Sequence, residues 1–479
     1  MKYLILILFM ITNNIATSQQ KIKEPTPPIK NKELSIHNHI RTDPYYWMNE
    51  RDSKPVLKYL EEENEYAKSY FNPLKNTVDE LMNEFDQRID PNEQTPPFVI
   101  NKKTYQIRSE EGLDYTKIFQ LNSKNEKLFL DENERANGHE FYQLSDWVPS
   151  PNNKLLALCE DFVGRRNYTI SFRKNKNGNY LEDRISHTSG TLVWANDNKT
   201  VFYVKSDPQT LRDFQVYRHV IGDDVKNDVL VYQEDDDTYG VSIGKTISDE
   251  YIMIYSYSTL TSELRLLDAD HPKSDCKVFL KRQKGHLYTV ASHKDGFYIL
   301  SNHNAKNGKL LFSKEFPESL SSCSVYLKHN PKVLIEDVQA FKNHLIVMER
   351  SEGLEKIRLI SLLDQKHQYI DSYEETYSMG LAFNDNYNAK SFYYRYVSLT
   401  TPSTIYSFSF KSGEKKIWHQ RLLKDKSFSP LNYESKRVWA MANDGTQIPV
   451  SILYKKGTDL SKAPCLLYGY GSYGYTIPD

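Results

Sequence analysis

The first regular pattern along the chain is helical, with apolar residues recurring at three- and four-residue spacing. Ser53 stands where a helix cap is expected, and Pro55 follows in the first turn, where a missing N–H costs nothing. Pro73 interrupts the pattern. We therefore predict two helices, at about 54–71 and 74–88, whose shared apolar stripe must pack on another surface.

From about residue 95 to 425 the helical period gives way to short β-branched and aromatic runs. Each run follows a short polar turn, and the turns recur roughly every 44 to 51 residues. They are Asn101–Lys103, Asn152–Lys154, Asp197–Lys199, Ser248–Glu250, Lys294–Gly296, Lys342–His344 and Asn388–Lys390. This period is typical of a β-propeller with one four-stranded blade per repeat. Because such repeats cannot bury their faces alone, we predict a closed ring of seven blades.

The pattern changes again after about residue 432. Two strand-like runs, at 437–442 and 448–454, flank Asp444-Gly445, a favoured hairpin turn. An apolar run at 463–467 then leads into the Gly- and Tyr-rich segment 468–474. A strand pair followed by an apolar strand and a Gly-rich loop is typical of the start of an α/β-hydrolase sheet. Only about fifty residues are available for it, so we predict a truncated domain.

The amino terminus has the composition of a secretory signal peptide. Lys2 precedes an apolar run over 3–11, and Ala16-Thr17-Ser18 supplies small residues that a signal peptidase accepts. An apolar core of about nine residues is too short to span a bilayer. We therefore expect residues 1–18 to be removed and the mature chain to be secreted or periplasmic, without membrane association. A membrane-anchoring helix is the alternative.

Charge and composition exclude several classes of protein. The chain has 479 residues, with 62 Lys and Arg against 63 Asp and Glu, so no basic excess indicates nucleic-acid binding. Hydrophobic residues at 39% and charged residues at 26% are typical of a soluble globular protein with a sizeable core. The cysteines are too widely spaced for a zinc knuckle or a C-x-x-C pair, and small buried side chains are favoured over disulfides, which stay possible. They are Cys159, Cys276, Cys323 and Cys465.

One segment, Gly240–Gly244, matches the G-x-S-x-G pattern of a nucleophile elbow, with Ser242 at its centre. The elbow requires a strand, a strained turn and a helix, which together place the Ser hydroxyl at a helix N-terminus. Here the acidic run Glu234–Asp237 precedes the segment and a predicted strand at 251–255 follows it. We therefore expect Ser242 to lie in a blade strand and not to be a nucleophile.

Other polar groupings offer weaker candidates. His37 and His39 have the spacing of metal ligands, but no carboxylate or cysteine partner is near, so exposed linker histidines are favoured. Asp235–Asp237 is more typical of a solvated turn than of a cation site. The sequence has no glycine-rich phosphate loop, and we expect neither a metal nor another cofactor. In Tyr468–Gly474, a Tyr hydroxyl and close backbone approach would suit an oxyanion hole, and a simple Gly/Tyr turn explains the run equally well.

Taken together, these segments resemble the prolyl oligopeptidase family of serine peptidases, and its oligopeptidase B branch in particular. The similarity runs in order along nearly the whole mature chain. It is carried by residues 43–51, 59–66, 130–133, 168–170, 193–197, 218–222, 232–236, 258–263, 400–403, 437–440 and 466–474. The ending Tyr-Gly-Ser-Tyr-Gly at 470–474 favours the oligopeptidase B branch, because the prolyl-specific branch has Gly-Gly-Phe there.

The resemblance implies a seven-bladed propeller that caps an α/β-hydrolase domain, with the N-terminal helices packed on the hydrolase. The propeller would exclude folded proteins and admit short peptides, which the branch cleaves after Lys or Arg. By matched position, Tyr470 would be the oxyanion donor and Tyr473 would line the substrate pocket. The family's Ser, Asp and His lie downstream of this loop, so we expect no catalytic triad here and no activity unless a separate hydrolase chain complements this one.

We therefore predict a mainly β chain in four parts: a signal peptide at 1–18, a linker and helices at 19–92, a seven-bladed propeller at 93–428, and an incomplete α/β-hydrolase start at 429–479. The expected function is that of the N-terminal portion of an oligopeptidase B-like serine peptidase acting on short peptides. A secreted propeller that binds peptides without chemistry is the alternative. An unfolded remnant with an exposed apolar edge is a third hypothesis.

Overall fold

The computed structural model describes residues 23–425, 428–472 and 475–477. The chain divides into two compact units, Met1–Ile89 and Asp90–Asp479. The predicted signal peptide, residues 1–18, lies outside the described residues. Within them, none of the helices is long and apolar enough to cross a membrane.

The first unit contains a hairpin and two helices. The hairpin pairs β1 (Lys32–Ile36) with β2 (His39–Asp43), and the helices are α1 (Lys54–Phe71) and α2 (Lys75–Arg88). The helices follow the predicted ranges, and the predicted break at Pro73 is a single 3₁₀ turn. Ser53 occupies the N-cap position, but its hydroxyl makes no capping hydrogen bond.

The apolar stripe of these helices lies largely exposed. Its members retain between 45% and 58% of their accessible surface: Leu57, Leu60, Phe71, Leu74, Val78, Leu81 and Phe85. The buried exceptions in the unit are Val56 and Trp47, whose indole N–H donates to the carbonyl of Pro28 at 2.9 Å. The described residues of this unit therefore provide no surface that covers the stripe.

Five sheets of the second unit have four antiparallel strands each, arranged in chain order. The first is β3 (Phe98–Ile100), β4 (Lys103–Arg108), β5 (Lys117–Leu121) and β6 (Glu126–Asp131), which the short helix α3 (Glu132–Ala136) follows. The other four are β14 (Gly240–Lys245), β15 (Tyr251–Tyr257), β16 (Ser262–Asp268) and β17 (Lys277–Leu280); β18 (Tyr288–His293), β19 (Gly296–Ser301), β20 (Lys309–Ser313) and β21 (Ser324–Leu327); β22 (Leu334–Phe341), β23 (His344–Ser351), β24 (Leu354–Ser361) and β25 (His367–Tyr369); and β26 (Ser378–Leu381), β27 (Ser391–Val397), β28 (Thr404–Ser409) and β29 (Lys415–Gln420).

Between the first two of these sheets lies one continuous sheet of seven strands. Its strands are β7 (Gln143–Pro149), β8 (Leu155–Asp161), β9 (Tyr168–Lys174), β10 (Tyr180–Trp194), β11 (Thr200–Ser206), β12 (Asp213–Val220) and β13 (Val229–Gln233). Strand β10 is 15 residues long and pairs with both β9 and β11. The register of its pairing with β11 shifts near Gly190. Gly190 has a φ of 86°, which only glycine adopts easily.

The prediction of seven four-stranded blades is therefore wrong. The structure has five such blades, and the residues expected to form two more belong to one seven-stranded sheet. The reason lies in β10, which continues through its bulges where a separate blade would begin. The repeated turn in the sequence marks the step from the first to the second strand of a blade. The turn therefore does not indicate whether the last strand of one blade is separate from the first strand of the next blade.

Neighbouring sheets pack face to face and form a ring. Each interface is an apolar cluster drawn from two neighbours, as in Tyr105 with Leu158, Phe202 with Ile254, Leu266 with Ile299, Leu310 with Val347, and Ile357 with Phe392. Within the seven-stranded sheet, Phe172 packs edge-on against Trp194, so its two halves also pack together. The ring closes where Phe98 of the first sheet stacks on Phe383, with 5.4 Å between ring centroids.

One end of the ring is tied by hydrogen bonds between the turns that the sequence repeats. They connect Asn101 with Ser150, Asn152 with Asn198, Asn196 with Asp249, Ser248 with Ser292, and His293 with Lys342. Several turn residues, including Asn153 and Asn198, adopt positive φ, which asparagine tolerates better than most residues. The polar turns thus hold neighbouring sheets in register at this end.

The segment after the ring forms a single hairpin, β30 (Tyr433–Met441) with β31 (Gln447–Lys455). Its turn contains Gly445 at φ 83°, as the predicted Asp-Gly turn requires. The apolar run at 463–467 forms no strand, and Leu466 is 92% exposed. An isolated strand leaves its backbone groups unpaired, and no strand lies beside this run in the described residues. The α/β-hydrolase sheet expected over 429–479 is thus limited to the hairpin.

Candidate functional site

The residues expected to bind an oxyanion are not assembled into a site. Tyr470 is 54% exposed, and its ring meets that of Tyr475 edge-on at 5.8 Å between centroids. Tyr473, the expected pocket residue, lies outside the described residues. Within the described residues, no hydrogen bond fixes the Tyr470 hydroxyl, so it has no defined direction in which to donate.

Ser242, the centre of the elbow-like pattern, lies in the middle of strand β14 and faces Tyr255 of β15 across an antiparallel ladder. Strand continues on both sides of it, from Gly240 to Lys245. A nucleophile elbow needs a sharp turn into a helix, and neither is present here. The geometry agrees with a structural role for Ser242.

Among the described residues, one serine hydroxyl does contact a histidine ring. The Nε2 atom of His286 lies 2.8 Å from the Oγ atom of Ser301, and both side chains are buried. The Nδ1 atom of His286 has no hydrogen-bond partner, so no carboxylate orients the ring. Burial lowers the pKa of His286 to about 4, which makes it a weak base at neutral pH. This pair was not found from the sequence, because only the register of β18 with β19 brings the two residues together.

The cation-site candidates are both turns. His37 and Asn38 form the tight turn of the first hairpin, with φ of 52° and 61°, and the His37 and His39 side chains are exposed. The Asp236 carboxylate accepts hydrogen bonds from the Thr238 N–H and hydroxyl, which lowers the pKa of Asp236. Within the described part of the chain, no three His, Cys, Asp or Glu residues are placed to hold a metal ion.

The cysteines also have distinct environments. Cys159 is buried in the cluster inside the seven-stranded sheet, where burial raises the pKa of its thiol. Cys276 and Cys323 are partly buried, and Cys465 is exposed. All four are free thiols. The expectation of small buried side chains therefore fits Cys159 and does not fit Cys465.

An open cavity of about 350 Å³ lies at the end of the ring that carries the tied turns. Its lining comes from β14, β18, β22 and β26, from the residues that follow β14 and β26, and from Met253 of β15. Polar members of the lining include Lys245, Ser292, Asp337, Gln339, Asn384 and Asp385. Four neighbouring sheets of the ring thus form a cavity with a polar mouth.

Two aspartates on the first strands share one local geometry. Asp146 of β7 and Asp337 of β22 both lie at a register shift, and each carboxylate accepts the N–H of the next residue at 2.9 Å and 2.8 Å. Burial raises the pKa of Asp146 to about 6 and raises that of Asp337. Burial likewise raises the pKa of Asp385 at the cavity. Sequence reasoning missed these residues, because their burial follows from the packing of the ring and no short motif marks it.

A cation lies at the same mouth. The ammonium of Lys245 donates to the Oδ1 atom of Asn196 at 2.6 Å and pairs with Asp249 at 3.2 Å. Since Lys245 is already paired, Asp337 and Asp385 are the lining carboxylates that make no ion pair within the described part of the chain. The mouth of the cavity is therefore net acidic.

The opposite region of the ring carries buried carboxylates held by arginines. Glu234 accepts from Arg282 at 2.5 Å and from the Tyr232 hydroxyl at 2.7 Å; burial opposes its charge, but these bonds lower its pKa to about 2. Glu160 is held by Arg135 at 2.7 Å in the same manner. These pairs connect neighbouring parts of the ring, and neither Glu160 nor Glu234 is free to act as a base.

The β30–β31 hairpin contacts the ring through its own side chains. The Arg437 guanidinium donates to the Glu352 carbonyl, and its backbone N–H donates to Glu375 at 3.2 Å. Gly353 adopts φ 81° beneath it, and a Cβ there would approach the Arg437 guanidinium to 2.8 Å. The hairpin is thus seated on the two sheets formed by β22–β25 and β26–β29.

Comparisons with known proteins agree with this architecture. The family model of the prolyl oligopeptidase N-terminal β-propeller domain matches residues 26–421. Dipeptidyl aminopeptidase BI of Pseudoxanthomonas mexicana is 33% identical over 479 residues, which cover 94% of this chain and 66% of that protein. Protease 2 of Moraxella lacunata is 29% identical over 450 residues, covering 92% and 64%. The chain therefore spans just under two thirds of the length of these relatives.

Solved structures give the same result. Oligopeptidase B from Leishmania major aligns with a TM-score of 0.89 and 27% identity, covering 95% of this chain and 68% of that one. Oligopeptidase B from Trypanosoma brucei, with covalently bound antipain in a closed form, aligns with a TM-score of 0.88 and 28% identity over the same shares. The resemblance inferred from the sequence is confirmed: the chain belongs to the prolyl oligopeptidase family, whose N-terminal β-propeller domain it contains.

Proposed function

We propose that this chain is the substrate-admitting propeller portion of a serine oligopeptidase that cleaves short peptides after Lys or Arg. The observation that carries the proposal is the closed ring of sheets with a polar cavity at one end, in a chain matched to the family's propeller over residues 26–421. Pockets of roughly 300–1,000 Å³ accommodate small ligands and peptide segments. A folded domain of 100 residues, with a radius of gyration of about 13 Å, would be excluded.

The acidic mouth supports the preference for cationic peptides. Asp337 and Asp385 line the cavity, and Lys245 is neutralised by Asp249. A channel lined by one sign of charge raises the local concentration of ligands of the opposite sign. Peptides that carry Lys, Arg or a free amino terminus would therefore enter more readily than acidic peptides.

We also propose that the described residues do not hydrolyse peptides on their own. An acyl-transfer site needs a nucleophile, a base within hydrogen-bond reach and a group that orients the base. The Ser301–His286 pair lacks the third group and has no access to substrate, and Ser242 has no histidine beside it. Hydrolysis would require a nucleophile from a hydrolase portion or from a complementing hydrolase chain. Tyr470 would then present its hydroxyl to the active site that contains this nucleophile.

Export of the mature chain is part of the proposal, supported by the composition of residues 1–18. Amino-terminal sequencing of the protein recovered from cell fractions tests it. We expect the recovered chain to begin near residue 19 in the periplasm or medium. Recovery of an intact Met1 in the cytoplasm would contradict it.

Hydrolysis of an Arg-ended chromogenic peptide by the purified chain tests the central proposal. We expect no turnover by the chain alone, and turnover when a second chain carrying the remaining third of the Pseudoxanthomonas relative is added. That second chain alone is the control. Turnover by the 479-residue chain alone, blocked by a serine-directed inhibitor, would contradict the proposal. Peptide binding without turnover in any mixture would favour the alternative, a secreted peptide-binding propeller.

A further inference from the structure

His219 of strand β12 lies between two carboxylates in the interior of the seven-stranded sheet. Its side chain is fully buried, with Nδ1 2.6 Å from Asp228 and Nε2 3.1 Å from Asp183. A neutral imidazole has one N–H, and ionised carboxylates only accept hydrogen bonds. Both contacts can therefore be hydrogen bonds only when the ring carries both protons and a positive charge.

Each of the two carboxylates accepts a further hydrogen bond besides its contact with His219. Asp228 also accepts from the Tyr203 hydroxyl at 2.7 Å, and Asp183 also accepts from the Gly222 N–H at 2.5 Å. From β9, the apolar ring of Phe172 stacks on the imidazole at 6.2 Å between centroids. The titratable groups that face His219 are thus Asp183 from β10, Tyr203 from β11 and Asp228 from the turn before β13.

These contacts cross the junction between the two halves of the sheet. Asp183 lies in the part of β10 that pairs with β9, whereas His219 and Asp228 lie in the half formed by β10–β13. We propose that Asp183, His219 and Asp228 form a pH-sensitive clamp that fixes the two halves of the seven-stranded sheet, closed while the imidazole is protonated. When the proton is lost, one ring nitrogen presents a lone pair to a carboxylate, and the clamp loosens.

The direction of the pH dependence follows from the same contacts. Burial by itself lowers the pKa of His219, but hydrogen bonds to Asp228 and Asp183 and their charges outweigh it and raise the pKa above 6.5. A group whose pKa is higher in the folded state stabilises that state at low pH. The contribution of the clamp is therefore complete below pH 6.5 and declines as pH rises through the folded pKa.

Nuclear magnetic resonance of the full chain with ¹⁵N-labelled histidine tests the protonation directly. The signals of His219 are assigned by their loss in His219→Gln. We expect the ring of His219 to titrate above pH 6.5, with both nitrogens protonated below that pH, and Asp183→Asn to lower the pH at which it titrates. A His219 ring that is neutral at pH 6.5 would overturn the proposal, as would a titration unchanged in Asp183→Asn.

Hydrogen exchange tests the clamp itself. In His219→Gln, amides of 180–194 and 213–233 should exchange at least tenfold faster than in the wild-type protein at pH 6, and the ratio should fall towards one as pH rises. His271→Gln is the matched control, because His271 pairs with Asp268 at 3.0 Å on the surface, and we expect no change there. A ratio of exchange rates that does not change with pH would contradict the clamp and show that His219 acts only through packing. If His219→Gln does not fold, Asp183→Asn provides the same comparison.

Discussion

The ring of sheets and the segments that flank it both carry apolar residues at regular spacing, yet only the ring buries most of them. Every apolar cluster found in the described residues lies between Phe98 and Phe410. The stripe of α1 and α2 and much of the β30–β31 hairpin, including Trp439 and Ile448, stay exposed. A ring supplies each sheet with two apolar neighbours. The hairpin meets the ring through polar contacts of Arg437, and the helix pair has no covering surface within its own unit. Periodicity therefore predicts which face is apolar, and the neighbours decide whether that face is buried.

The largest expected effect tests the difference between the ring and the helices with one residue type, phenylalanine. Phe392 is fully buried between two sheets, whereas Phe85 lies half-exposed on α2. Phe392→Ala should destabilise the ring by about 3–5 kcal/mol, because it removes buried apolar surface and leaves a cavity. Phe85→Ala should cost about 0.5 kcal/mol. Urea unfolding of both variants, followed by tryptophan fluorescence, measures this, and equal losses would show that the stripe of α2 is covered in solution.

The bulge in β10 should give the next largest effect. At Gly190 (φ 86°) a Cβ would lie 2.6 Å from the Tyr168 ring, whereas at Gly112 (φ 81°) it would meet nothing within 4 Å. Gly190→Ala should therefore cost about 2–3 kcal/mol, from backbone strain plus overpacking. Gly112→Ala should cost about 1 kcal/mol from strain alone. Similar losses for both variants, measured by the same unfolding experiment, would mean that the junction of the sheet halves is loose.

Replacement of Asp146 should give an effect whose size depends on pH. Burial raises its folded pKa to about 6, so the folded state holds the proton longer and loses stability as pH rises from 3.8 to about 6. Asp146→Asn removes this penalty while its amide oxygen can still accept the Trp147 N–H. We expect a gain of about 2–3 kcal/mol at pH 7.5 and none at pH 3.5. Asp236→Asn is the control, since the pKa of Asp236 is lowered and its replacement should bring no gain.

The smallest expected effect concerns the seam where the ring closes. Arg421 and Glu93 pair at 3.0 Å across it, and both are exposed to solvent. A double-mutant cycle of Arg421→Ala and Glu93→Ala should give a coupling of about 0.2–1 kcal/mol that decreases with salt. A coupling above about 2 kcal/mol, independent of salt, would show that this ion pair closes the ring and that the Phe98–Phe383 stack is secondary.

Several features of the fold followed directly from the sequence. The helix ranges, the Asp-Gly hairpin turn and the position of Ser242 in a strand all depend on short-range patterns that act within one element. The repeated polar turns were also visible, and the structure shows that they tie neighbouring sheets together. Local rules therefore accounted for the elements and for most of their order.

The remaining features depend on distant contacts. Whether β10 is one strand or two depends on both its neighbours, and the run at 463–467 lacks the neighbour that would make it a strand. The pairing of His286 with Ser301 and the enclosure of Asp146 follow from sheet register and packing. A single sequence does not encode these contacts in any short motif, so they became visible only in the folded chain.

The central claim is a closed propeller whose described residues contain no activated serine. Incubation of the purified chain with a fluorophosphonate probe, followed by intact-mass and peptide mass spectrometry, tests it most directly. The account predicts an unchanged mass and no labelled serine under conditions that fully label a control serine peptidase. A single stoichiometric adduct on Ser242, Ser301 or any other serine of this chain would contradict it.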